Sequence, residues 1–440
     1  NSKGILWMAL DLIPLQKKFS TFGFMDYDGV IVVDDRGEAD YFHGRKKEKK
    51  IIDDLLGLSQ RKNKGYSILI QGSPGVGKTA LLEEYQTEKI KKQWDVKTLS
   101  MSCLWDTKQF HDALFGDKSF EIGEKEASGN IKLIGGKVTY LATEKTFSKS
   151  LRQLKKPTIL IFDEAQMIGV KGHVGQERAQ KASELFDELH NARTEHGLVF
   201  LIAGLGTTEN IFQALKISRF NDSCIINLGV LDKASEKKIL WDYLTKSGGV
   251  KKTNPHLNHW IEQMTQETHQ WAQHISCYGQ IASILSKKNN GVLDDVLLKK
   301  VLEISREKKI WYYDRRVKPF TKKECQQMAQ FLDVSQNQEV FSAEVIIEFL
   351  NKTYSLNESE RIFHLAVEKG VFHRNKDKDY TVPIPSMRTW LVNQFLRKKK
   401  QMNVLTVEEL NQRLKPNDGF NPNNSEERKE VDKERKNTNA

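Results

Sequence analysis

Residues 68–85, ILIQGSPGVGKTALLEEY, run from an apolar stretch through a glycine-rich turn into a segment with helical spacing. Within them, Gly72-Ser73-Pro74-Gly75-Val76-Gly77-Lys78-Thr79 satisfies the pattern G-x-x-x-x-G-K-[ST] in full. The glycines let the backbone wrap until several N–H groups face one point, and the following helix adds its positive N-terminus. A cup of that kind suits phosphate. Lys78 would reach the β and γ phosphates of a nucleotide, and Thr79 would ligate Mg²⁺ through its hydroxyl. A chance Gly-Lys turn would lack the buried-type strand before it and the helix after it, which here is expected to span Thr79 to Lys92.

A second motif supplies what a phosphate loop lacks. TILIFDEAQ (158–166) reads as a buried strand ending in Asp163-Glu164, about 85 residues beyond Lys78. At the C-terminal edge of a parallel sheet, Asp163 would hold the hydration shell of Mg²⁺ and Glu164 would polarise an attacking water. Taken alone, an Asp-Glu pair after a strand is an ordinary helix start. Behind a complete phosphate loop it reads as catalytic.

The other apolar runs, VKTLSMS (96–102) and LVFLIAG (198–204), are β-rich and bounded by turn or charge signals, as buried parallel strands are. Helical spacing separates them, notably over 176–194, where Ala182, Leu185, Phe186 and Leu189 share a face. Strands alternating with helices predict an α/β fold with a parallel sheet. The segment 129–144 alternates around Gly135-Gly136 and is expected to form a β-hairpin.

Composition narrows the function. No apolar run approaches the roughly 18–20 residues of a membrane span, and the best stretch, ILWMALDLI (5–13), carries Asp11. No membrane partner is expected. Cys103, Cys224, Cys277 and Cys325 lie far apart with no C-x-x-C pair, which argues against a zinc ribbon and for a reducing cytoplasm. Lys and Arg number 69 against 58 Asp and Glu, a net charge of +11 that suggests a polyanionic partner, nucleic acid first. Most of that charge is balanced. The chain contains no His/Asp/Glu constellation of its own for nuclease or protease work.

The order FHGRKKEKKII, phosphate loop, IFDEAQ, FLIAGLGTT, ISRF and helical segment resembles the AAA+ ATPases, in particular the branch of origin-recognition initiators and related signalling ATPases. The resemblance is specific over about residues 40–290 and looser over 320–395. It implies a P-loop NTPase sheet sandwiched by helices, an α-helical lid and a winged-helix-like domain, with ATP and Mg²⁺ bound. On that pattern the chain divides into an N-terminal extension (1–41), a nucleotide-binding domain (42–230), a lid (231–305), a linker (306–319), a winged-helix-like domain (320–395) and a charged, disordered tail (396–440).

Carried over by position, Phe42 and Arg45 of FHGR line the adenine pocket. Thr207 or Thr208 is the polar sensor near the γ-phosphate, and Arg219 of KISRF is an arginine finger for a neighbouring copy's site, so that self-association is implied. The lid departs from the family. Where related proteins open a lid helix with Gly-x-Pro-Arg, this chain has HQWAQHISCYGQ (269–280), with Ala272 for the proline and Gln273 or His274 for the arginine. Weak coupling of lid to γ-phosphate, and slow turnover, follow from that departure. In the winged-helix-like segment the recognition helix would be 357–369, with Arg361, His364 and Lys369 available to a DNA groove. The wing would be 373–380, with Arg374, Lys376 and Lys378 meeting phosphates, helped by the basic run RKKK (397–400). The alternative is a regulatory ATPase that gates an effector protein and uses this domain for protein contacts.

Overall fold

The computed structural model describes residues 41–101, 157–169, 197–214, 224–335, 338–375 and 379–397, with isolated positions between 104 and 193. The expected hairpin at 129–144, Arg219, Lys376, Lys378 and residues 398–440 lie outside the described residues, as does most of 176–194.

Five strands, β1 (Tyr66–Gln71), β2 (Asp95–Ser100), β3 (Thr158–Asp163), β4 (Leu198–Gly204) and β5 (Ile225–Asn227), form one sheet in the order β2-β3-β4-β1-β5. Every pairing in it is parallel. The central strands read as unbroken apolar runs because both faces are covered. Alternation sorts their side chains into two cores: Ile68, Ile70, Ile159, Ile161, Val199 and Leu201 on one face, and Leu69, Leu160, Phe162, Phe200 and Ile202 on the other. The register sets Ile68 beside Leu201 and Ile161 beside Leu201, so the ends of β1 and β3 emerge on one edge of the sheet.

The helix expected from Thr79 to Lys92 is broken. It runs over Lys78–Glu83, tightens to a 3₁₀ turn at Glu84–Gln86, and resumes at Glu88–Lys91 after Thr87 turns extended (φ −67°, ψ 154°). The segment expected to be the lid contains helices Lys233–Asp242, Leu257–Thr268 and Ala272–Lys288. Asp232 starts the first by accepting a hydrogen bond from the Ser235 amide.

The expected linker at 306–319 is instead the second half of one helix, Asp295–Val317, begun by the Asp294 cap. Leu298, Val301, Ile304, Tyr312, Tyr313 and Val317 are buried along it, so packing on several sides carries the helix through its basic run. Beyond it stand helices Lys322–Val334, Ala343–Asn351 and Leu356–Glu368, started by Thr321 (a full capping box with Glu324), Ser342 and Ser355. An antiparallel pair, β6 (His373–Arg374) and β7 (Tyr380–Thr381), follows, with Phe341 bridging to Tyr380. Helix Pro385–Phe395 closes this C-terminal unit. Its apolar residues belong to the same buried cluster as the Ile68 face of the sheet, a cluster that also holds Trp271, Tyr312 and Tyr313.

Candidate nucleotide site

The glycine-rich turn occupies the C-terminal edge of β1. Gly75 and Gly77 hold φ of +78° and +96°, left-handed values that side chains resist. Gly72 is pinned between strands, its amide donating to the Gly204 carbonyl at 3.2 Å.

Lys78 is 7% exposed. Its Nζ donates to the carbonyls of Gly72 (3.0 Å) and Ser73 (3.3 Å). Burial pushes its pKa down to about 8, against the pull of nearby Glu164 and Asp163. Thr79 donates its hydroxyl to Asp163 Oδ2 at 2.8 Å. The two motifs are thus in direct contact. A hydroxyl oxygen and a carboxylate at that separation are hard oxygen donors of the type Mg²⁺ takes, so the residues fit the ion.

Glu164 follows on an exposed turn with φ of +53°, an unusual value for a residue with a side chain. Gln166 was not singled out from the sequence, although it ends the IFDEAQ motif. Its amide nitrogen donates to the Glu164 carboxylate, and its oxygen accepts the Leu205 amide at 3.0 Å. It therefore ties the candidate base to the end of β4. The signal was its spacing: two residues past Glu164, on the first turn after the strand.

Thr207 and Thr208 follow β4. Both hydroxyls lack a partner among the described residues. Thr208 is fully buried against Gly204, whereas Thr207 is part-exposed as a residue with its hydroxyl oxygen buried.

The FHGR segment joins loop to lid. Arg45 is buried, and its Nη2 donates to the carbonyls of Val76 (2.8 Å) and Gly229 (2.7 Å); burial lowers its pKa. His43 Nε2 lies 2.7 Å from Asp242 Oδ2 on the first lid helix. A Cβ on Gly44 would come within 2.7 Å of Ser235 Oγ, so this close approach requires glycine. Phe42, His43, Gly44, Lys46, Lys49 and Glu84 are among the residues lining an open cleft of about 440 Å³.

On the lid, Trp271 and Ile275 are core residues. His274 is fully buried against Tyr312 and Tyr313, and desolvation holds its pKa far below the usual value, so it is a neutral structural ring. Gln273 meets the phosphate loop through its backbone, the amide donating to the Gly75 carbonyl at 3.0 Å. The C-terminal half meets the same loop: Ser73 Oγ lies 3.0 Å from His373 Nδ1, and Tyr312 donates to the Pro74 carbonyl at 2.7 Å. Sequence reasoning missed these contacts.

Among the described residues expected to face DNA, Arg361, Lys369 and Arg374 pair with carboxylates. Arg361 pairs with Glu324 and Glu358, Lys369 with Glu368, and Arg374 with Glu209 beside β4. His364 is exposed, among exposed Glu358 and Glu360.

The sequence profile described as "ATPase family associated with various cellular activities (AAA)" matches residues 68–228. No curated protein matches the chain. Among solved structures it is similar to the Aeropyrum pernix ORC2 protein in its ADPNP–ADP complexes, at 12% identity over 86% of this chain and 97% of that one, TM-score 0.48. Cdc6p from Pyrobaculum aerophilum aligns at 13% identity over 84% and 100% of the respective chains, TM-score 0.39. Domain III of the Thermotoga maritima replication initiation protein DnaA aligns at 15% over 60% and 93%, TM-score 0.34. With the phosphate loop and the acidic end of β3 in contact across a five-stranded parallel sheet, the profile match identifies residues 68–228 as an ATPase domain of the AAA family.

Proposed function

We propose that this chain binds ATP with Mg²⁺ and hydrolyses it slowly, using the cycle as a conformational and oligomerisation switch that acts on DNA in the cytoplasm. The observation that carries this reading is the 2.8 Å contact between Thr79 and Asp163, beside buried Lys78. The loop amides and Lys78 bind the phosphates, Thr79 and Asp163 hold the ion, and Glu164, steadied by Gln166, takes the proton of the attacking water. When bound, Mg²⁺ supplies charge neutralisation on the phosphate oxygens. Thr207 is the polar sensor, and Phe42 and the cleft beside it receive the base.

Slow turnover is supported by the lid, whose helix meets the loop by the Gln273 amide rather than by an arginine. Arg219 is read as a finger supplied in trans, which makes hydrolysis depend on assembly. DNA binding rests on the net charge of +11 and the basic run from Arg397. A second reading, in which the C-terminal unit gates an effector protein, is favoured by the carboxylates that neutralise Arg361 and Arg374.

The test is ATPase activity of the full chain across protein concentration, with and without DNA. Specific activity that rises with concentration and with DNA supports the switch. Activity flat in both removes the assembly and DNA parts, and DNA indifference together with a salt-insensitive gel shift favours the effector.

A further inference from the structure

Arg316, near the end of helix Asp295–Val317, is an arginine with no anionic partner among the described residues. It is 5% exposed. Its terminal nitrogens donate to the carbonyls of Gly370 (2.6 Å) and Pro74 and to the Tyr312 hydroxyl. Its Nε has no acceptor among the described residues. The guanidinium stacks 4.2 Å from the Tyr312 ring centroid and 5.7 Å from that of Trp271. Among the described residues no carboxylate pairs with it.

The loop that Arg316 contacts at Pro74 carries another buried cation, Lys78. Arg316 lies close enough to Lys78 to help lower that lysine's pKa, and burial holds its own down to about 9. A buried charge without a counter-charge is costly and persists where something else supplies the opposite sign. At the tip of a phosphate loop, that counterpart is the polyphosphate of a nucleotide.

Its other contact lies at the turn after helix Leu356–Glu368. Gly370 has φ of +71°, and a Cβ there would fall 2.7 Å from Pro74 Cδ and 2.9 Å from Arg316 Nη1. Loop, long helix and C-terminal unit therefore meet at one guanidinium.

We infer that Arg316 is a positioning residue for the nucleotide phosphates. From the helix that leads into the C-terminal unit it supplies the charge that the lid helix lacks at Gln273 and His274, and it relays phosphate occupancy to residues 370–375 through Pro74 and Gly370. This rests on the nucleotide-binding reading above.

The test uses the full chain, with MgATP and MgADP affinities measured by titration calorimetry and hydrogen exchange followed over residues 370–375. Arg316→Met should lower ATP affinity by roughly tenfold and ADP affinity by less, since the γ-phosphate adds charge. Arg316→Lys should recover part of the ATP preference, and ATP-dependent protection of 370–375 should vanish in the Met variant. A merely structural role would move both affinities alike. Tyr312→Phe, which keeps the charge but loosens the clamp, should keep the ATP-to-ADP ratio and lose the protection. A folded Arg316→Met protein with the wild-type ratio and protection overturns the inference, and if neither Arg316 variant folds, unchanged protection in Tyr312→Phe does so. Wild-type protein that binds neither nucleotide overturns the nucleotide reading as well.

Discussion

Replacing Lys78 with methionine should stabilise the nucleotide-free protein while abolishing its response to ATP. Burial lowers the lysine's pKa from 10.5 to about 8. At about 1.36 kcal/mol per pKa unit, holding the charge inside the fold at pH 7 costs about 3 kcal/mol. Methionine keeps a flexible apolar stem without the charge. It leaves the Gly72 and Ser73 carbonyls without their donor, at 3.0 and 3.3 Å, a loss of about 1–2 kcal/mol in all. A net gain of about 1–2 kcal/mol remains, or a rise of a few degrees in Tm. The pH dependence fixes the cause. With the folded pKa below the unfolded one, the unfolded chain binds more protons between pH 8 and 10.5, so wild-type stability rises through that window. The variant lacks that rise, so the two curves cross near about pH 9 and wild type is the more stable by about 1–2 kcal/mol at the upper end. Thermal unfolding followed by circular dichroism, at several pH values and with and without MgATP, measures all of this. A variant less stable than wild type at pH 7, or a gap unchanged up to pH 10, refutes the reasoning.

Three further outcomes follow from the geometry. Gln166→Leu removes the donor to Glu164 and the acceptor of the Leu205 amide; kcat should fall by about tenfold or more with ATP affinity kept, as steady-state phosphate release would show. His373 is held neutral, its pKa pushed down to about 4 by burial and then by Lys78 and Arg316. The unfolded chain therefore takes up its proton first, so up to about 3 kcal/mol of stability should be lost as pH falls from 6.5 to 4, and urea titrations of His373→Gln should show a shallower loss. Arg45→Ala leaves the carbonyls of Val76 and Gly229 without their donor and should cost about 2–4 kcal/mol, read as a lowered urea midpoint.

The sheet was legible because its strands are covered on both faces, so each reads as an apolar run ending where the chain turns. The glycine-rich turn and Asp163 were legible as motifs because each is a fixed residue pattern at the end of an apolar run, and the 2.8 Å Thr79–Asp163 contact joins the two. The basic run around 306–319 misled. Charge there reads as a linker, yet Tyr312, Tyr313 and Val317 continue the buried stripe of one helix. Arg316 and His373 could not be found by spacing, because their importance comes from contacts with Pro74 and Ser73 more than two hundred residues away. The same long-range packing spends Arg374 on Glu209, where local composition had offered it to DNA.

Equilibrium binding of MgATP to the full chain, measured beside phosphate release for wild type and Glu164→Gln, tests the central claim most directly. Both proteins should bind ATP saturably, and only the wild type should release phosphate at an appreciable rate. No affinity for adenine nucleotides, or hydrolysis untouched by the substitution, would contradict the account.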